Sequence, residues 1–169
     1  MTAKPERGFE SLCVVGLGYI GLPTAAIFAS HGVQVLGVDI DQQTVDLINN
    51  GKAQNVEPEL NLVVNRAVAG GRLRAATAPA PADVFIIAVP TPFKDDHQPD
   101  LTCLQAAVES LAAAIKAGDL VVVESTVPVG TTEQVSTWLA NLCPGLKFPH
   151  AGGDEADVFI AHSPERVLP

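Results

Sequence analysis

The stretch Leu12-Cys13-Val14-Val15-Gly16-Leu17-Gly18-Tyr19-Ile20-Gly21 decides the fold. A short apolar run, Leu12 to Val15, enters Gly16-x-Gly18-x-x-Gly21, and an alanine-rich helical pattern follows from Ile20 to Ser30. A second apolar run, Val33 to Val38, ends on Asp39, 23 residues after Gly16. Strand, glycine turn, helix, strand and acid together form a dinucleotide-binding fingerprint. Gly16 is expected to permit the tight turn, and Gly18 to let the backbone approach a pyrophosphate. Gly21 is expected to let the helix pack close to the strand. The N–H groups of the loop and helix start, Tyr19 and Ile20 among them, would face the phosphates. Asp39 stands where an acid accepts from the adenosine ribose hydroxyls. The competing reading is a β-α-β unit with no ligand, but it leaves the spacing of the distal acid unexplained.

Working outward, Asp41 is placed to cap a helix to about Asn50, with Val45 and Ile48 inward and Gly51 as its stop. Asp39 and Asp41 would repel an extra phosphate, and no Arg or Lys lies between Asp39 and Gly51 to attract one. The spacing therefore favours NAD over NADP. Pro58 suits the first turn of a helix running to about Val68. Leu73 to Ala76 reads as a short edge strand, and Val84 to Val89 as a buried one. That run stops at Pro90-Thr91-Pro92. Ligands of open α/β sheets lie beyond the carboxyl ends of strands, which puts Val89, Pro90 and Thr91 beside the cofactor.

Asp100 is placed to cap a helix whose stripe is Leu101, Leu104, Val108, Leu111 and Ile115, ended by Gly118. Leu120 to Val123 reads as a strand that terminates in Glu124-Ser125-Thr126. Thr131 with Gln134 resembles a capping box for a helix through about Leu142, with Trp138 inward. Cys143 to Asp157 reads as a loop, and Val158 to Ala161 as a last strand before Glu165, Arg166, Val167 and Leu168. The resulting order is one α/β domain, 1–169, with a doubly wound, Rossmann-type parallel sheet of strand order 3-2-1-4-5-6.

Composition supports this class. Apolar residues make up 47% of the chain and aromatic ones only 5%, so Val, Ile, Leu and Ala must form the core. The net charge of −9 argues against nucleic acid or an anionic membrane as partner. No apolar run reaches the length of a membrane span, and the polar Met1 to Glu10 is not a signal peptide. Cys13, Cys103 and Cys143 show no metal or CxxC spacing. They point to a reducing cytoplasm, with Cys13 and Cys103 expected as small core residues. No pair of the four histidines has metal-ligand spacing, so no metal is expected.

Five motifs then occur together and in order: Gly16 to Pro23, Gly37 to Asp41, Val89 to Pro92, Glu124 to Thr131, and Pro164 to Pro169. In this combination the chain resembles the cofactor domain of the nucleotide-sugar (UDP-glucose/GDP-mannose) dehydrogenases. The terminal Pro164-Glu165-Arg166-Val167-Leu168-Pro169 and the segments Val56-Glu57-Pro58 and Pro92-Phe93-Lys94 are most similar to the UDP-N-acetyl-D-mannosamine branch. The resemblance implies a four-electron oxidation of a sugar C6 alcohol to a carboxylate with two NAD. The aldehyde would be trapped on a cysteine as a thiohemiacetal, which goes on to a thioester.

By matching positions, Thr91 would contact the cofactor, and Thr126 would lie by the nicotinamide and help place a water. Glu165 would be the acid/base or water-orienting carboxylate. Arg166, Val167 and Leu168 would border the UDP-sugar. The chain departs from the pattern in having Gln42, Gln43 and Thr44 where a lysine often follows the ribose-binding acid. The resemblance also implies on the order of a hundred or more further residues, carrying the nucleophilic cysteine, most of the sugar site and a dimer helix. The longer enzyme is thus expected to be a homodimer, and this chain a truncated, monomeric cofactor domain that binds NAD without turnover. A UDP-glucose or UDP-N-acetylglucosamine dehydrogenase and a stand-alone dinucleotide-binding regulatory module remain as alternatives. A β-hydroxyacid dehydrogenase lacks the Pro-Thr-Pro and Pro-Glu-Arg motifs.

Overall fold

Alternating side chains of the apolar runs build one parallel sheet with two buried faces. The computed structural model describes residues 8–53, 58–94 and 98–164. Its strands are β1 (Ser11–Val15), β2 (Gln34–Val38), β3 (Leu73–Ala76), β4 (Val84–Ile87), β5 (Leu120–Val123) and β6 (Phe159–His162). They pair in the order β3-β2-β1-β4-β5-β6, all parallel, as the spacing predicts. The helices are α1 (Gly21–Ser30), α2 (Gln42–Asn49), α3 (Pro58–Ala69), α4 (Thr102–Leu111), α5 (Thr131–Leu142) and α6 (Pro149–Gly152).

Register explains how four- and five-residue strands hold the fold. Cys13 stands opposite Leu36 on one side and Phe85 on the other, and Phe85 opposite Val121. This row and the Val15, Val38, Ile87, Val123 row point to one face, where Leu104, Val108, Leu111, Val135 and Leu139 of α4 and α5 cover them. Leu12, Val14, Val35, Val84 and Ile86 point to the other face, packed with Leu22, Ala25, Ala26, Val45, Ile48 and Val64 of α1, α2 and α3. A strand alternates faces with period two, so a continuous apolar run is what a sheet covered on both sides needs. Phe85 is fully buried, and its truncation to Ala would cost about 3–5 kcal/mol.

Several boundaries differ from the sequence expectation. β4 stops at Ile87, two residues early, because Val89 N–H turns to the Ser125 hydroxyl instead of a strand partner. α4 ends at Leu111 in tight turns, well before Gly118. The expected capping box at Thr131 does not form. Gly130 occupies the cap position with a φ of 90°, and the Thr131 hydroxyl, already inside α5, donates to Pro128 O at 2.8 Å. The expected loop from Cys143 to Asp157 contains α6 and a 3-10 turn, Gly153–Glu155. Fully buried Phe148 anchors this segment, and Pro149 opens the helix from its first position.

Candidate functional site: a crevice at the carboxyl edge of the sheet

The chain leaves β1 toward β2 on one side and reaches β4 on the other. The loops after β1 and β4 therefore diverge, and a crevice opens between them at the carboxyl edge. It has a volume of about 720 Å³. Gly16, Gly18, Tyr19, Ile20, Asp39, Val89, Pro90, Thr91 and Thr126 all line it, which brings together expected residues from four separate loops.

The three glycines carry different constraints. Gly16 has a φ of 94° and donates its N–H to Val38 O at 2.8 Å. A Cβ at Gly16 would collide with the Ala88 carbonyl oxygen, so the turn is squeezed against the end of β4 as well as strained. A Cβ at Gly21 would collide with the Gly16 carbonyl oxygen, which sets the close seat of α1 on the loop. A Cβ at Gly18 would meet nothing within 4 Å. Gly18 therefore borders open space in the crevice and not a neighbouring segment of the chain.

No side chain caps α1, and no carboxylate stands in its first turn. Its positive end faces the crevice with no acidic residue of its own, the arrangement that suits a pyrophosphate. Asp39 lies next to it. Its Oδ2 accepts from Leu17 N–H at 2.9 Å and its Oδ1 from Asp41 N–H at 3.0 Å. The acid is thereby aimed by the glycine loop itself, and each carboxylate oxygen retains acceptor capacity for a ribose hydroxyl. Asp41 caps α2 as expected, accepting from Gln43 N–H and from the Thr44 N–H and hydroxyl. The Thr44 hydroxyl above all, with the Gln43 N–H, holds the Asp41 carboxyl below its ordinary range.

The opposite wall is cross-linked by side chains. The Ser125 hydroxyl accepts from Val89 N–H at 3.0 Å and donates to Val89 O at 2.7 Å. The Thr91 hydroxyl donates to Thr126 O at 2.7 Å, and His162 Nε2 lies 3.3 Å from Ser125 O. The loops after β4 and β5 and the end of β6 are thus tied into one surface. Thr91, expected as a direct ligand, places its hydroxyl proton on the neighbouring loop. Glu124 also lines the crevice, and the Thr24 hydroxyl of α1 reaches its two oxygens at 3.2 and 3.3 Å. Sequence reading noted polar residues at this strand end. It gave no role to Ser125, whose importance comes from burial and a partner 36 residues away.

The remaining expected residues fall elsewhere. Glu165, Arg166, Val167 and Leu168 lie outside the described residues, as do Val56 and Glu57. Cys13 is buried as expected, and that burial pushes its thiol up to about 11. Burial likewise raises Cys143. Cys103, expected in the core, is exposed instead and lines the crevice, because α4 turns Leu104, Ala107 and Val108 inward. Among the described residues no helix is long and apolar enough to cross a membrane.

Comparison with known proteins gives the family of the chain. The chain is 57% identical over 161 residues to NDP-N-acetyl-D-galactosaminuronic acid dehydrogenase from Ralstonia nicotianae, covering 95% of this chain and 38% of that protein. It is 58% identical, with the same coverages, to UDP-N-acetyl-D-mannosamine dehydrogenase from Salmonella typhi. In structure it is similar to the UDP-N-acetyl-mannosamine dehydrogenase Cap5O from Staphylococcus aureus, with a TM-score of 0.84 and 44% identity over 94% of this chain and 37% of that one. The chain thus spans little more than a third of the relatives it matches. Residues 10–169 match the family's NAD-binding domain. With a glycine turn that excludes a Cβ at two positions, an uncapped helix start, and an acid held by that turn at the crevice, the chain belongs to the UDP-glucose/GDP-mannose dehydrogenase family as its NAD-binding domain.

Proposed function

We propose that this chain is the cofactor half of a UDP-N-acetylhexosamine 6-dehydrogenase acting on UDP-N-acetyl-D-mannosamine. The reaction would be the four-electron oxidation of the sugar C6 alcohol to a carboxylate with two NAD. The observation that carries this reading is the shared crevice, with Asp39 on the β1-β2 side and the tied Thr91, Ser125 and Thr126 on the β4-β5 side. When bound, NAD supplies the hydride acceptor. Asp39 would accept from the adenosine ribose hydroxyls, and the Gly16 to Gly21 turn and the start of α1 would receive the pyrophosphate. Thr126 would stand by the nicotinamide. Glu165 would move or orient a proton at the reacting C6, with Arg166, Val167 and Leu168 bordering the sugar nucleotide.

The mannosamine assignment is supported by the motif from Pro164 to Pro169 and by several relatives of that name. Equally similar relatives named for a galactosaminuronic acid suggest that a cofactor domain alone discriminates weakly between sugars. The nucleophilic cysteine, a helical dimerisation region and most of the sugar site would belong to further sequence such as the relatives carry. Cys13 is too buried for that nucleophilic role. The longer enzyme would be a cytoplasmic homodimer, and this chain alone a monomer.

The test is a calorimetric NAD titration of the 169-residue chain, paired with an NADH assay on UDP-N-acetylmannosamine. Binding without NADH formation is expected, with turnover of two NAD per sugar when the chain is joined to the remaining region of a relative. NADH formation by the chain alone would overturn the division of labour. A joined protein that binds NAD but oxidises no UDP-sugar would favour a dinucleotide-binding module.

A further inference from the structure

We propose that His162, which ends β6 and does not line the crevice, is a positioning residue that aims Thr126 at the nicotinamide end of a bound dinucleotide. Its Nε2 lies 3.3 Å from the Ser125 carbonyl oxygen. A carbonyl oxygen only accepts, so the hydrogen of this bond stands on Nε2, which either charge state of the ring can provide. From the other side, the Thr91 hydroxyl donates to the Thr126 carbonyl oxygen at 2.7 Å. These two carbonyls belong to consecutive peptide planes. The Ser125 carbonyl lies in the plane that enters Thr126, and the Thr126 carbonyl in the plane that leaves it. Peptide units are planar and each residue has only two soft backbone torsions, so holding the planes on both sides of one Cα sets the direction of its side chain. His162 from β6 and Thr91 from the loop after β4 thus hold Thr126 from opposite sides.

A tie for β6 alone does not account for the imidazole. His162 already stands opposite Val123 in the parallel ladder, and Ser163 N–H donates to Val123 O at 3.0 Å. The strand end is held before the side chain adds anything. The loop that the ring reaches has more need of support. It joins β5 to α5, and Thr126 within it is exposed and lines the crevice. Ser125 anchors this loop through its hydroxyl on Val89. That anchor is made by the side chain, so it leaves the following peptide plane to rotate, and the His162 bond removes that freedom. The ring acts through Thr126 and not by contact with a ligand. The inference rests on the cofactor reading proposed above, in which the glycine turn and Asp39 receive the adenosine side and Thr126 stands by the nicotinamide.

The test compares NAD+ with ADP-ribose, which keeps the adenosine, the pyrophosphate and both riboses and lacks only the nicotinamide. Calorimetry gives dissociation constants for both on the 169-residue chain, on His162→Ala and on His162→Gln, whose amide nitrogen can donate from the place of Nε2. Urea midpoints establish that each chain is folded during the titrations. His162→Ala should weaken NAD+ binding roughly two- to tenfold, the size of one net hydrogen bond. ADP-ribose binding should change much less, and His162→Gln should recover most of the lost NAD+ affinity. Equal weakening of both ligands would make His162 a general structural tie and overturn the assignment. So would an unchanged NAD+ constant in His162→Ala, or a His162→Gln chain as weak as His162→Ala. Those outcomes leave the cofactor reading standing. Failure of the unaltered chain to bind NAD+ would overturn that reading and this inference with it.

Discussion

The two edges of the sheet use the same side chains for opposite purposes. At the amino edge, acids stand just before β4, β5 and β6, and protein groups hold them. Asp83 Oδ2 accepts from Glu10 N–H, Ser11 N–H and the Ser11 hydroxyl, at 3.1, 3.0 and 2.8 Å. Buried Asp119 accepts from Lys116 N–H at 2.8 Å and pairs with Lys116 Nζ at 2.6 Å. Asp157 accepts from Lys147 N–H at 2.8 Å, and its own carbonyl accepts from Gly118 N–H. At the carboxyl edge, Asp39 and Glu124 are also hydrogen-bonded, yet both line the crevice. The amino edge fastens strand starts together. The carboxyl edge aims groups at a space and leaves that space open. Parallel strands present all their carboxyl ends on one side, so the division of labour follows from topology.

Substitutions should separate the two edges cleanly. The largest expected effect is Asp119→Ala, which leaves the Lys116 N–H without its acceptor and removes the charge-assisted bond that a buried carboxylate makes. It should lower stability by about 2–3 kcal/mol, read from the urea midpoint, and leave NAD affinity of the folded fraction unchanged. A drop in affinity at full folding would break the comparison. Next, Asp39→Ala should weaken NAD binding roughly ten- to a hundredfold, the loss of charged hydrogen bonds to a ribose, with a smaller change in the midpoint. The same variant should relax the discrimination against NADP, checked by titrating both dinucleotides.

Ser125→Ala tests the residue that belongs to both categories. It is buried and structural, yet it holds the wall of the crevice. About 1 kcal/mol of stability and a several-fold loss of NAD affinity are expected together. Ser125→Thr, which retains the hydroxyl, should restore part of the affinity, whereas loss of stability alone would assign Ser125 to the core. The smallest effect concerns acid. The Ser11 hydroxyl above all, with the Glu10 and Ser11 N–H groups and Lys116, holds the Asp83 carboxyl below its ordinary value of 3.8. A depressed carboxyl stabilises the fold above that ordinary value, and the contribution fades as pH falls toward the folded value. Urea midpoints measured from neutral pH down to acid should therefore fall less steeply for Asp83→Asn than for the unaltered chain.

Much of this was legible in the chain itself. Apolar runs, most of them separated by helical stripes, imply a covered parallel sheet, because only burial on both faces tolerates continuous Val, Ile and Leu. The glycine spacing and Asp39 mark the dinucleotide half, since a turn, a helix start and an acid at a set distance are local features. Cys103 and Thr131 escaped that reading: a rotation of α4 by a fraction of a turn exposes the thiol, and a left-handed Gly130 takes over the cap.

What sequence alone determined is therefore the fold class, the order of strands and the glycine-turn side of the crevice. Short-range spacing and side-chain periodicity carry all three. What only the tertiary structure decided is the opposite wall. Ser125 on Val89, Thr91 on Thr126 and Thr24 on Glu124 join residues 35 to 100 positions apart. Such pairs leave no local pattern. They exist because parallel pairing brings the ends of β1, β4 and β5 side by side, and a hydroxyl or carboxylate there acquires its role from the neighbour it meets.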